Sequence, residues 1–197
     1  MFYPPKAEAI KKAMRGKGYM VFGGSDYDLN VVGIRTKDMA SNQFNDWLGV
    51  MYLQDGRWVK LMFPATTDPG LYWRENPMNA KGTALLKPGQ YRGAYQIGSH
   101  KGAPALVQAA DLPVYRDDDR DGFIEADEKK LDTGMFGINI HRANREDVSR
   151  EVGKWSAGCQ VVADPMHFHL FMKLAVKSAE RYGDKFTYTL LTEADFK

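Results

Sequence analysis

The sequence predicts one α+β, mostly β, domain over residues 1–197, on three observations. β-rich runs recur along the first two thirds, an Asp55-Gly56 step joins two of them, and one capped helical stripe lies near the C-terminus. With 44% hydrophobic and 26% charged residues, 197 residues suffice for one filled core. No internal repeat or alternating βαβ pattern suggests a second domain or a parallel doubly wound sheet.

The elements follow in order. A helix is expected over about 5–15, within an N-terminal helical segment 1–18: Pro5 fits its first turn, Ile10 and Met14 lie four apart, and Gly16 or Gly18 stops it. YMVF (19–22), LNVVGIRT (29–36), LGVMYLQ (48–54) and RWVKLMF (57–63) read as strands, and PATTDPG (64–70) as a turn-rich connection. Further strands are expected at QYRGAYQIG (90–98), ALVQA (105–109) and MFGINIH (135–141), with DLPVYR extended. The second helix begins at Asp164 as N-cap with Pro165 behind it. Phe168, Phe171, Leu174, Ala175, Ser178 and Tyr182 form its stripe, Gly183 ends it, and KFTYTLLT is a closing strand.

Charge and composition exclude several classes. The chain carries +2 overall, but residues 117–128 hold seven acids and one base, leaving 26 basic against 18 acidic residues elsewhere. That basic remainder suits an anionic polymer such as a cell wall. The bases are scattered, and no nucleic-acid-binding pattern appears, so no nucleic-acid partner is expected. One cysteine excludes an internal disulfide, and four histidines offer no cysteine-rich zinc site. The segment MFYPPKAEAIKKAMRGKG lacks an apolar signal region, and no run approaches the roughly 18 apolar residues of a membrane span. Nothing in the sequence sets the oligomeric state.

The acidic stretch DDDRDGFIEADE matches a calcium loop. Asp117, Asp119 and Asp121 take positions 1, 3 and 5, Gly122 the turn and Ile124 position 8. Phe123 offers a carbonyl at 7, Glu125 sits at 9 and Glu128 at 12. Calcium wants six to eight oxygens, which this spacing can supply; the alternative is a solvated acidic turn. Pro113 in the preceding segment speaks against a helix–loop–helix pair, so the expectation is a lone structural calcium and no organic cofactor.

The other chemistry centres on Cys159, in VGKWSAGCQVV. A nucleophilic thiol needs a base within reach and backbone N–H donors for an oxyanion. His141 ends MFGINIH eighteen residues earlier, and Ser156, Ala157 and Gly158 form a small-residue, turn-forming context unlike a core cysteine's. The plain alternative is an idle buried thiol beside a strand-ending histidine. His100, in a polar turn, and Arg92 are cleft candidates for substrate, the latter for a carboxylate. His167 and His169, two apart on the second helix, face different ways and share no metal. Trp155 is expected to pack and fix the cysteine loop.

GINIHRA…KWSAGCQVV, followed by an amphipathic helix and a closing strand, resembles the L,D-transpeptidase catalytic domain (the YkuD-like family). The hallmark is a strand histidine followed, fourteen to seventeen residues on, by Ser/Thr-His-Gly-Cys; here fourteen residues, 142–155, intervene before Ser156. The likeness covers about 134–192. It implies a mixed β-sheet or sandwich with a packed C-terminal helix, into which the calcium loop is inserted. It also implies Cys159 as acylated nucleophile, His141 as its base, Ser156 and Gly158 as the small loop positions, and the Gly158 and Cys159 N–H groups as oxyanion donors. The chain departs from the pattern at Ala157, where the motif has its second histidine, at Arg142 after the base, and at Gln160 and Val161 after the cysteine. Arg142 and Gln160 therefore become candidate substrate contacts.

The implied partner is a peptidoglycan stem peptide and the implied chemistry acyl transfer to an amine or to water. The rival readings are a catalytically inactive, calcium-stabilised wall-binding module and, more weakly, a papain-like protease, which usually places its cysteine before its histidine. A cell-wall or periplasmic site of action without a secretion signal implies a shortened chain, a phage-encoded protein or a cytoplasmic one.

Overall fold

A computed structural model describes residues 2–38 and 42–197. Its helices are α1 (Ala7–Gly16), α2 (Leu71–Glu75) and α3 (Pro165–Tyr182). Its strands are β1 (Asn30–Arg35), β2 (Asp46–Gln54), β3 (Arg57–Thr66), β4 (Thr83–Leu86), β5 (Gly89–His100), β6 (Ala103–Gln108), β7 (Leu112–Asp117), β8 (Leu131–Gly134), β9 (Ile140–Arg142), β10 (Gln160–Val162) and β11 (Phe186–Thr192). The class is α+β and mostly β, as the sequence predicts.

The main sheet does not open into a sandwich. Eight strands close into a barrel in the order β1-β11-β5-β6-β9-β10-β3-β2, and β4, β7 and β8 form a separate three-stranded sheet. Two pairings in the barrel are parallel, β1 with β11 and β9 with β10. The β2–β3 hairpin turns at Asp55 and Gly56, with φ of 51° and 70°, the paired positive values that an Asp-Gly turn supplies.

Alternation along the strands builds two cores. Val31, Val50, Ile140 and Tyr188 point into the main core, which Phe168, Phe171 and Ala175 of α3 complete. Val32, Ile34 and Met51, on the other face, receive Ile10 and Met14 of α1. The expected cap of α3 is present: the Asp164 carboxylate accepts from the Met166 and His167 N–H groups. Between β3 and α2 the expected turn starts later than predicted, because Pro64–Thr66 extends β3. Buried Asp46 holds the next residue by accepting from both the N–H and the hydroxyl of Thr67. Buried Arg35 lies 2.7 Å from buried Asp68 and reaches the Leu86 carbonyl, tying the barrel to the small sheet.

Two runs predicted as strands are not. In 19–22, Met20 exchanges both backbone hydrogen bonds with the Gln90 carboxamide, and the Asn30 side chain takes the Phe22 N–H and carbonyl. MFGINIH is strand only from Ile140. The Gln108 carboxamide accepts from the Phe136 and Ile138 N–H groups and donates to the Gly134 carbonyl, so the side chain replaces a neighbouring strand.

Candidate active site

Parallel pairing of β9 with β10 brings the two sequence-predicted residues together. Gln160 is opposite Ile140 and Val161 opposite His141, and the Gln160 N–H donates to the Asn139 carbonyl at 2.9 Å. Ile140 and Gln160 point into the barrel, so by alternation Cys159 and His141 share the outward face as diagonal neighbours. The small sheet and residues 135–138 cover that face. The resulting cleft, about 480 Å³, is lined by Cys159, His141, His100, Ala84, Ile138 and Trp155 among others. A second cleft of about 500 Å³ lies against His141, His100, Arg142 and Arg145, and is bounded by Trp155 too.

The Cys159 loop is bracketed by its own polar groups. The Ser156 hydroxyl donates to the Cys159 carbonyl at 2.7 Å and accepts the Gly158 N–H at 3.2 Å, closing the turn from inside. Gly158 has φ +126°, and a Cβ there would sit 2.7 Å from the Ala84 carbonyl oxygen, so only glycine fits between loop and small sheet. The Gly158 N–H is thus taken and is not the oxyanion donor expected of it. The Cys159 N–H makes no hydrogen bond to the described residues.

Cys159 is 9% exposed, and its Sγ accepts the Asn139 N–H at 3.4 Å while its S–H reaches the Gly137 carbonyl at 3.3 Å. Burial raises the thiol pKa, opposed by the Asn139 N–H. His141 is 6% exposed, and its Nδ1 lies 2.7 Å from the Arg142 carbonyl. A carbonyl only accepts, so Nδ1 carries the proton and Nε2 presents a lone pair. That Nε2 is buried and has no hydrogen-bond partner among the described residues. Burial lowers the His141 pKa to about 4 against the favourable Arg142 carbonyl. At neutral pH the pair is therefore a thiol and an uncharged imidazole, not a thiolate–imidazolium pair.

The remaining predicted residues divide. His100 belongs to the site: its ring stacks on His141 with centroids 4.2 Å apart and planes 14° apart. Arg142 contributes the carbonyl that orients the His141 ring and lines the second cleft. Gln160 does not face substrate, because it is wholly buried inside the barrel, accepting from the Tyr188 hydroxyl at 2.9 Å and donating to the Gly158 carbonyl. Arg92 lines a separate cavity with Asp28, Ser178 and Lys185 that shares no residue with either cleft. Trp155, expected to pack, is 44% exposed and borders both clefts. His167 stacks on Phe63, apart from His169. Asn139, Lys101 and Lys154 also belong here, and no spacing in the sequence singles them out.

The acidic loop is less complete. Ile124 packs against Leu85 and Tyr115 of the small sheet. Asp119 and Asp121 accept the N–H groups two residues on, and Asp117 is buried at the loop's start. Phe123 and Glu125 are exposed. Glu128, however, is held by Lys87 at 2.7 Å and by the Tyr115 hydroxyl at 2.7 Å, and Asp118 by Lys130. Among the described residues no three acidic, histidine or cysteine side chains converge as a metal site. No described helix is long and apolar enough to cross a membrane.

No family model matches the chain, and no curated protein matches it.

Proposed function

We propose that the protein is a cysteine acyltransferase of the L,D-transpeptidase type acting on peptidoglycan stem peptides. The observation that carries this reading is that Cys159, which leads into β10, and His141, on the parallel strand β9, line one cleft, with the His141 lone pair buried beside it. In the proposed reaction the thiol turns from the Gly137 carbonyl toward His141 Nε2, which takes its proton as sulfur bonds to the carbonyl carbon of the third stem residue. The Cys159 N–H, which makes no hydrogen bond to the described residues, would meet the developing oxyanion. Collapse breaks the amide, and His141 returns the proton to the departing D-alanine amine. An amine of a second stem, or water, then attacks the thioester while His141 takes up its proton, and the thiol is regenerated.

Two features of the molecule support a neutral-pair mechanism over a preformed thiolate: the buried uncharged imidazole and the raised thiol pKa. Incubation with tetrapeptide muropeptides is expected to release D-alanine and to give a covalent adduct on Cys159 by mass spectrometry. Cys159→Ala should lower release by on the order of 10⁴-fold; release unchanged in that variant would sink the reading.

A second reading, an inactive wall-binding module, draws on the S–H turned to Gly137 and on the absence of a Sγ–Nε2 hydrogen bond. It predicts that the wild type binds sacculi without releasing D-alanine or forming an adduct. In either case we read residues 117–128 as a structural calcium loop. Asp117, Asp119, Asp121, the Phe123 carbonyl and Glu125 would hold the ion, and Glu128 would complete the set only after leaving Lys87 and Tyr115. Calcium would supply fixed charge and rigidity there, not a step of the reaction.

A further inference from the structure

His100 stands beside the base without touching the nucleophile, and its hydrogen bonds fix more than its position. Asn139 Oδ1 accepts the Gln108 N–H at 2.9 Å, which settles the orientation of that carboxamide. Its Nδ2 therefore donates to His100 Nδ1 at 3.0 Å, leaving the His100 proton on Nε2. His141 holds the opposite tautomer, with its proton on Nδ1 toward the Arg142 carbonyl. Two uncharged rings of opposite tautomer are thus stacked face to face, one bound to the β6–β9 region and the other to the backbone of β9.

We infer that His100 is a positioning residue for the base: its ring is the platform that covers one face of His141 and keeps it dry, while the Arg142 carbonyl sets the tautomer. The inference rests on the cysteine–histidine reading above. The charged groups acting on His141 are Lys101, from the turn that carries His100, and Arg142, its own neighbour; Arg116 and Lys154 line the first cleft with it and Arg145 the second, and no carboxylate lines either cleft. A second cation on the stack would therefore be uncompensated, and removal of His100 would open one face of His141 to water.

Imidazole nitrogen NMR on the folded protein reads tautomer and titration midpoint for each ring without any substrate. At pH 7, His141 is expected as the Nδ1–H form and His100 as the Nε2–H form. In His100→Ala the His141 midpoint should rise by about one pH unit or more as water reaches the uncovered face. His100→Phe, which keeps a flat ring on the stack, should restore it. D-alanine release measured alongside should fall by about tenfold or more in kcat for His100→Ala, with KM little changed, and recover in His100→Phe. An unchanged His141 midpoint in folded His100→Ala overturns the inference, as does a His100→Phe variant perturbed as much as His100→Ala. If His100→Ala does not fold, Asn139→Leu serves instead: without its Nδ1 donor the His100 ring should lose its fixed place on the stack and the His141 midpoint should rise, and an unchanged His141 midpoint overturns the proposal. Wild-type protein that shows the expected rings but releases no D-alanine leaves the positioning intact and removes the acyl-transfer reading.

Discussion

The nucleophile loop and the acidic loop are both short, glycine-containing turns, yet they are held in opposite ways. The first is closed by its own atoms: Ser156 brackets it from within, Gly158 fits against Ala84, and β10 follows at once in a hydrogen-bonded ladder. The second spends its carboxylates on lysines and on backbone turns, and its twelfth residue is tied to a neighbouring strand and to Lys87. A site that is ready before its ligand arrives costs strain within the fold, whereas a ligand-dependent loop must give up bonds it already has.

The largest test of this contrast is Gly158→Ala. Its left-handed φ and the 2.7 Å approach to the Ala84 oxygen make a methyl group both strained and clashing. A loss of about 3 kcal/mol, or roughly 6–12 °C in Tm, is expected by thermal melting. A melt within about a degree of wild type would mean that the loop is not braced as described.

Calcium comes next. Binding to the folded form alone should raise Tm by roughly 5 °C or more at about 100-fold excess over Kd, with chelator reversing it. Glu128→Gln should blunt that rise; a Tm indifferent to calcium and chelator removes the calcium reading and leaves a solvated acidic turn.

The smallest effect is in pH. His141 is pushed down to about 4 by burial, so the base stays uncharged through the mildly acidic range. Its folded pKa lies below the ordinary 6.5, and activity is lost only as pH falls through the folded value. Between pH 7 and 5.5 the rate of D-alanine release should change less than about twofold, where an ordinary histidine would lose about tenfold. An acid limb near 6.5 would place the imidazole in water and make the two loops equally open.

Much of this was legible in the residues themselves. Asp164-Pro165 and Asp55-Gly56 encode a cap and a turn through their own short-range chemistry, and both form as read. The pairing of His141 with Cys159 was legible from spacing, but not the parallel ladder that creates it. Barrel closure was invisible because strands of three residues, Ile140–Arg142 and Gln160–Val162, carry too little pattern. The runs at 19–22 and 135–138 look like strands and are not, for a reason no periodicity records. Gln90, Asn30 and Gln108, far off or off-pattern in sequence, satisfy their backbone groups. Gln160 misled in the same way: a polar residue beside the nucleophile belongs to the barrel interior, where the Tyr188 hydroxyl needs a partner.

The thinness of β9 and β10 has a consequence for how the molecule breathes. These strands join β6 to β3, and β9 meets β6 at a single register pair, Leu106 with Ile140. They are the seam of the barrel, and the same seam carries the base and the thiol. Opening it for an instant parts Cys159 from His141, so amide exchange at Gln160 and, under the proposed acyl transfer, turnover of the thioester should respond together to anything that loosens the seam.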